Sequence, residues 1–437
     1  MLEYVSSMKI FYQVAANSLL VTLANFFLWF AVIFWVYLET QSVLASSVIA
    51  GSYMVIATFS GFWFGGIVDH HKKKHVMLLS SFGTLFFFAL ALGLYLLAPE
   101  GAVTTVTSLW MWSFVCSLLL GVVVSNMRTI ALPITVTILV PEDRRDRANG
   151  ISGMIMGLSS SGAGIASGFA LAYLGMLPVV AISCVVTVLA LVHLSLLSIP
   201  EPEIVHTEEK PKKLDIRGTI AIIGAIPGLF ALIFFTTFNN FLGGVFMALM
   251  DPYGLTLVSV EVWGALWGVL SLGFIIGGLY IARKGLGKSP LRTLFTINII
   301  MWATTIVFPL QPSIYLLSAG LLIWTLLVPF VEATEHTIIQ KVVPLERQGR
   351  VFGFAQSVET AASPITAFLV GPLAQFVFIP FMTTGAGVTL IGDWFGVGAG
   401  RGMALVFILA SIIGLIVTLI AMRSRPYKLL SEQYAAA

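Results

Sequence analysis

The chain has 437 residues, of which 58% are hydrophobic and 10% charged, with a formal net charge of +3. A soluble core needs a polar shell, and too few polar residues exist here to build one. The composition therefore excludes a soluble globular domain and implies a polytopic protein of the lipid bilayer, with no nucleic-acid partner. Both cysteines, Cys116 and Cys184, lie inside apolar runs and read as buried thiols without a disulfide framework.

The first apolar run is too long for a cleavable signal, and no small-residue cleavage site follows it. Residues 1–9 read as a short cytoplasmic lead-in. A helix crosses hydrocarbon with about 20 apolar residues. By that criterion an N-terminal half, 1–199, carries six spans at 12–37, 44–68, 76–98, 106–139, 150–174 and 177–199. A linker at 200–217 follows, with four glutamates, four basic residues and three prolines, and reads as solvated. The C-terminal half, 218–437, supplies six more spans at 218–249, 262–283, 291–310, 313–343, 352–378 and 402–423. The predicted architecture is all-α, with twelve transmembrane helices in two six-helix halves.

Charge gives these spans a direction. Of the 23 Lys and Arg residues, 21 fall before the first span, in even-to-odd connections or after the last span. Arg128 lies within span 4, and Arg401 alone sits at the opposite side. The positive-inside rule then places both termini and the linker in the cytoplasm, in a multi-pass protein of the cell (inner, cytoplasmic) membrane.

The halves repeat each other. Pro141, Arg144, Arg147 and Gly150 recur as Pro344, Arg347, Arg350 and Gly353, all at an offset of 203. Gly61, Gly65 and Gly66 match Gly273, Gly277 and Gly278 at 212, and Thr22, Asn25 and Phe26 match Thr237, Asn240 and Phe241 at 215. Three matches in order indicate a duplicated six-span unit, which suits alternating access with a substrate site between the halves.

Span 2 ends in Gly61-Phe-Trp-Phe-Gly65-Gly66-Ile-Val-Asp69, followed by His70-His71-Lys72-Lys73-Lys74. The glycines share one helix face and admit a second helix closely. Asp69 stands where the chain leaves hydrocarbon. Gly65-x-x-x-Asp69-His-x-Lys-Lys73-Lys74 resembles the loop 2–3 signature of the major facilitator superfamily, and the paired Pro…Arg…Arg…Gly loops look like the same family. His70 replaces a usual Arg or Lys, Lys72 a usual Gly, and Ile281 stands where a second-half acid would be. Within the superfamily the chain resembles the drug/proton antiporters of the macrolide-efflux and enterobactin-exporter group. The His-Lys-rich loop and the long last outer loop, from Pro380 to Gly396, carry that likeness. The resemblance implies that spans 1, 4, 7 and 10 line the cavity. It also implies that the Asp69 loop docks against span 11, which carries Glu359 near its start.

Charges inside hydrocarbon are costly and face a cavity or a partner. Span 4 carries Asn126 and Arg128; span 10 carries Glu332, Glu335 and His336 on one face. Arg128 and Glu332 lie 13 and 12 residues from Pro141 and Pro344. At ~1.5 Å per residue both sit roughly 18–20 Å from that end. The arrangement predicts an ion pair of Arg128 with one carboxylate, Glu332, and leaves Glu335 to load and release a proton. Asn25 and Asn240 can hydrogen-bond a substrate or bridge helices. Phe27, Trp29, Phe235 and Phe238 are candidates to line an apolar pocket. Gly285-Leu-Gly287-Lys288-Ser289 lacks the first glycine and the strand of a phosphate loop, so ATP-driven transport finds no support.

The expected function is secondary transport: proton-coupled export of lipophilic or amphiphilic small molecules such as drugs, by a monomer whose partners are that substrate and protons. No cofactor or metal is expected. Proton-coupled uptake of a small nutrient, or a lipid flippase or scramblase, stays open as an alternative. No polar constellation is large enough for bond chemistry, so an enzyme is not expected.

Overall fold

The computed structural model describes residues 2–40, 43–105, 107–201 and 216–436; most of the predicted linker lies outside them. The N-terminal half contains α1 (Leu2–Thr40), α2 (Val43–His70), α3 (Lys73–Leu97), α4 (Leu109–Leu139), α5 (Arg145–Leu174) and α6 (Met176–Leu196). Then come α7 (Ile216–Ala225), α8 (Leu229–Leu255), α9 (Val260–Leu270), α10 (Leu272–Lys284), α11 (Pro290–Val307), α12 (Ile314–Val342) and α13 (Gln348–Leu373). A π-helical stretch, Ala374–Phe378, leads into α14 (Ile379–Thr383), α15 (Ala386–Phe395), α16 (Ala399–Arg423) and α17 (Arg425–Ala436). Twelve described stretches are long and apolar enough to cross a membrane.

Some boundaries differ from those predicted. Residues 2–9 are helical as the start of α1, and the first membrane-long apolar stretch within that helix begins at Met8. The seventh span begins at Leu229 instead of 218, because Gly228 at φ +80° turns the chain after α7. A side chain is strained at that φ, and a Cβ there would also stand 2.7 Å from Leu430 of α17. The eighth span is interrupted at Ser271, where the Thr325 hydroxyl of α12 donates to the Leu270 carbonyl at 2.8 Å. Both cysteines are free, but Cys116 is exposed. An apolar run in a membrane protein has an outward face as greasy as its inward one, so hydrophobicity alone does not bury a residue.

Two compact units divide the chain: Met1–Thr219 with Val343–Ser357, and Ile220–Val342 with Val358–Ala437. The first turns of α13 therefore belong with the N-terminal half, not with the half that sequence order assigns them to. Inside the first unit α3 packs on α4, α2 on α4, α3 on α6 and α1 on α6. Inside the second, α11 packs on α12, α10 on α12, α11 on α16 and α8 on α16. These are the same four contacts between repeat mates.

The loops after the fourth and tenth spans also match. Pro141 and Pro344 have φ/ψ of −55°/148° and −54°/142°, and each precedes a single 3-10 turn, Glu142–Arg144 or Leu345–Arg347. The mates Arg145 and Gln348 then bond the mated carbonyls of Val140 and Val343, at 3.3 and 3.0 Å.

Each unit has its own aromatic core, built by van der Waals packing because lipid supplies no hydrophobic drive between helices. The first centres on Trp35, Phe88 and Phe114, the second on Tyr253, Phe308 and Phe407. Phe246 and Phe407 stack with centroids 5.0 Å apart, and Tyr253 meets Phe407 edge-on at 5.5 Å. These residues lie toward the odd-to-even loops. The even-to-odd ends are held by other means.

Candidate functional site

Gly61, Gly65 and Asp69 recur every fourth residue at the end of α2, and Gly349, Gly353 and Ser357 do so at the start of α13. These two faces meet backbone to backbone. A Cβ on Gly65 would stand 2.6 Å from the Gly349 carbonyl oxygen and 3.2 Å from Arg350 Cα. One on Gly353 would stand 2.5 Å from the Gly61 carbonyl oxygen. Phe62 and Phe354 meet edge-on beside the crossing, 5.8 Å between centroids.

Asp69 closes this contact and is only 6% exposed. Its Oδ1 accepts from the Gly349 N–H at 2.5 Å and its Oδ2 from the Arg350 N–H at 2.9 Å. N–H groups in a first helical turn have no partner within their helix, and the dipole there favours an anion. Arg350 Nε adds an ion-pair contact at 3.8 Å, and Arg350 Nη2 lies 3.3 Å from His70 Nε2. The repeat mate Arg147 is exposed.

The lysines serve the same loop. Lys73 is buried, and its Nζ donates to the Val68 and His71 carbonyls at the end of α2, at 2.6 and 3.1 Å. Lys74 Nζ donates to the Ser195 carbonyl at 2.9 Å. The backbone N–H groups of Lys73 and Lys74, which open α3, donate to the Glu201 carboxylate at 2.5 and 2.7 Å. Sequence reading did not assign Gly349, Ser357 or Glu201 to the site, and took Gly353 only as the repeat mate of Gly150. The spacing of Gly349, Gly353 and Ser357 in α13 could have revealed those three; nothing in the sequence ties Glu201 to a helix 127 residues away.

A second polar group lies in the C-terminal half. The Thr236 hydroxyl of α8 is 2.6 Å from Glu359 Oε1 on α13 and 3.4 Å from Glu335 Oε1 on α12. A hydroxyl carries one hydrogen, so it serves one carboxylate at a time. Glu335 is buried, Glu332 one turn earlier is exposed, and His336 is half-buried. Glu359 thus belongs to a carboxyl pair, while the Asp69 loop reaches α13 three turns earlier, at Gly349 and Arg350. Thr236 is a site residue that sequence reading overlooked.

Arg128 is 3% exposed. Its Nη1 donates to Asn17 Oδ1 at 2.7 Å and lies 3.4 Å from Ser18 Oγ, and its Nη2 donates to Ser81 Oγ at 2.9 Å. Asn17 Nδ2 in turn donates to the Ala190 carbonyl at 2.7 Å and lies 3.1 Å from His193 Nδ1. Neutral oxygens of its own half hold the cation and join α1, α3, α4 and α6. This replaces the carboxylate pairing expected for Arg128, and with it the expectation that Glu332 is needed to neutralise the arginine.

The amides separate as well. Asn25 is 8% exposed with its Oδ1 unpartnered, and Asn126 hydrogen-bonds the Tyr53 hydroxyl. The Tyr53 ring lies 4.5 Å from Trp29, so Tyr53 joins the polar-aromatic surface of the N-terminal half. Asn240, the mate of Asn25, is exposed and donates to the Thr236 carbonyl at 3.1 Å. Phe238 is half-buried and stacks on Phe241 at 6.4 Å. Phe27 and Phe235 are buried core residues, 7% and 5% exposed, and do not line an open surface.

The fold and these groups can be set beside known proteins. A family model described as the Major Facilitator Superfamily matches residues 14–367. Macrolide efflux protein A of Streptococcus pyogenes is 23% identical over 375 residues, covering 82% of this chain and 88% of that one. The protein of the same name from Enterococcus faecalis is 23% identical over 315 residues, covering 69% and 92%. The human organic anion transporter MFSD10 superposes with a TM-score of 0.67 at 13% identity, over 92% of this chain and 99% of that one. A bacterial homologue of the iron transporter ferroportin does so at 0.67 and 16%, over 94% and 98%. At such identities the structural likeness is one of fold. The family match covers most of the chain, from the first span into the eleventh: this protein belongs to the major facilitator superfamily.

Proposed function

We propose that this transporter exports lipophilic or amphiphilic small molecules across the cytoplasmic membrane in exchange for protons, by alternating access. One observation carries the coupling: Glu335 and Glu359 share the Thr236 hydroxyl. Two carboxylates close together at low dielectric repel strongly. The pair therefore takes up a cation, either a proton or the cationic group of a substrate, and each displaces the other. That exchange is antiport. The single Thr236 hydrogen turns to whichever carboxylate is left charged.

The likeness to proteins named for macrolide efflux supports export as the direction. Within the N-terminal half, Trp29, Tyr53 and Asn126 offer an aromatic surface with few polar groups, of the kind such ligands need. Asp69 and the start of α13 form the cytoplasmic latch, released once per cycle. The sidedness rests on the positive-inside rule. Cysteines placed at Glu100 and at Lys212 are expected to label from opposite sides.

Coupling is tested by flux of a fluorescent lipophilic amine in proteoliposomes, with and without an imposed pH gradient. Glu335→Gln and Glu359→Gln are each expected to abolish the response to the gradient while downhill exchange persists. Glu332→Gln is expected to keep it. Wild-type gradient dependence in both of the first two variants would remove the carboxyl pair from the mechanism.

A further inference from the structure

The long connection between the last two spans carries a feature the transport cycle does not use. The preceding span ends at Thr383 and the next starts at Ala399, so the connection lies where the chain leaves and re-enters the bilayer, opposite the basic loops. It is ordered by its own bonds. Thr384 and Gly385 N–H groups donate to the Pro380 carbonyl at 3.0 and 2.9 Å, and the Gly398 N–H donates to the Met382 carbonyl at 2.8 Å. Gly396 and Gly398, at φ +90° and +112°, turn the chain back into α16.

Between these turns α15 presents three different faces. Gly387, Ile391 and Phe395 recur every fourth residue and face the protein. A Cβ on Gly387 would meet the Phe381 ring and stand 2.6 Å from Met382 Sδ, and Phe395 is 2% exposed. The Arg401 guanidinium lies 3.8 Å over the Phe395 ring, and its Nη2 donates to the Leu310 carbonyl at 2.8 Å. Leu390 and Trp394, also four apart, are 71% and 67% exposed. Thr389 and Asp393, one residue back in each case, are exposed on the flank beside them. A helix in free water has no use for a Leu-Trp face, and a helix inside hydrocarbon has none for a Thr-Asp face. One lying in the interface plane uses both, with the indole at headgroup level. Phe376 and Val377, two turns before the end of the preceding span, are exposed, so apolar outward surface runs toward the connection.

We propose that α15 is an interfacial anchor. It lies on the bilayer surface opposite the basic loops, with Leu390 and Trp394 in phospholipid and Thr389 and Asp393 in headgroup water. Through Phe395 and Arg401 it ties the membrane depth of that surface to the start of α16 and to the turn at Leu310.

The test uses the full chain with Cys116→Ser and Cys184→Ser, reconstituted in phosphatidylcholine vesicles. Spin labels are placed one at a time by Thr389→Cys, Leu390→Cys, Asp393→Cys and Trp394→Cys. The expected result alternates: labels at 390 and 394 are relaxed several-fold more by oxygen than by an aqueous nickel chelate, and labels at 389 and 393 show the reverse. Equal access of the chelate to all four positions would overturn the anchor and leave a solvated loop. Spin–spin broadening at 390 and 394 that vanishes on dilution with unlabelled protein would also overturn it, since a second copy would then cover the face.

Discussion

Gly61, Gly65 and Asp69 at the end of α2 have their repeat mates in Gly273, Gly277 and Ile281 at the end of α10. Both glycine pairs bring a helix into backbone contact, but with different partners inside their units. On α2 the partner is the start of α13. On α10 it is the middle of α12, where a Cβ on Gly273 would stand 2.9 Å from the Leu326 amide nitrogen. The third position differs in chemistry. Asp69 is held by two N–H groups and an arginine, whereas Ile281 is fully buried against Leu286 and Ala333. Water can replace polar bonds when a contact opens, so the α2 contact is suited to opening and closing. Nothing replaces the packing lost when an apolar contact separates, so the α10 contact is suited to permanence.

The sharpest way to break this contrast is Ile281→Asp. A lone carboxylate among Leu286, Ala333 and Phe330 is expected to cost about 3–5 kcal/mol. Thermal unfolding in detergent reads it as a large fall in Tm. An unchanged Tm would mean that an acid is tolerated at both ends, and the distinction would go.

Gly65→Leu and Gly277→Leu come next, each overpacking a backbone contact by about 1–3 kcal/mol. Their readouts should diverge. Spin labels at the exposed positions Lys72 and Arg347 report the spacing of α2 and the turn before α13. Gly65→Leu is expected to lengthen that distance. Gly277→Leu should leave it alone and lower Tm.

Asp69→Asn keeps the shape and removes the charge, and charged hydrogen bonds are worth about 1.5–3 kcal/mol. The same label pair should shift its population toward the longer distance roughly tenfold or more, with transport impaired and Tm near wild type. An unaltered distance distribution would end the latch role. Glu201→Ala should have the smallest effect, about 1 kcal/mol for a lost helix cap. Faster amide exchange confined to the first turn of α3 is the expected sign; faster exchange in α13 as well would mean that Glu201 belongs to the latch itself.

What could be read from sequence and what could not divides along one physical line. Every backbone polar group must be satisfied within a span, so span length and the placement of Lys and Arg are written directly into the order of residues. The twelve spans, the mated turns at Pro141 and Pro344 and the place of Asp69 at the end of α2 follow from that. Partnership does not. A membrane helix is apolar all round, so its pattern does not say which face turns inward. Arg128 could equally have met a carboxylate; its neighbours Asn17 and Ser81 lie 111 and 47 residues away and became known only in the folded chain. Thr236 and Glu359, 123 residues apart, carry no mutual signal until α8, α12 and α13 are assembled. Even the α2 glycines, legible as a close-approach face, did not disclose that Gly349 and Gly353 would occupy it, because spacing specifies how near a helix can come and tertiary packing decides which helix arrives.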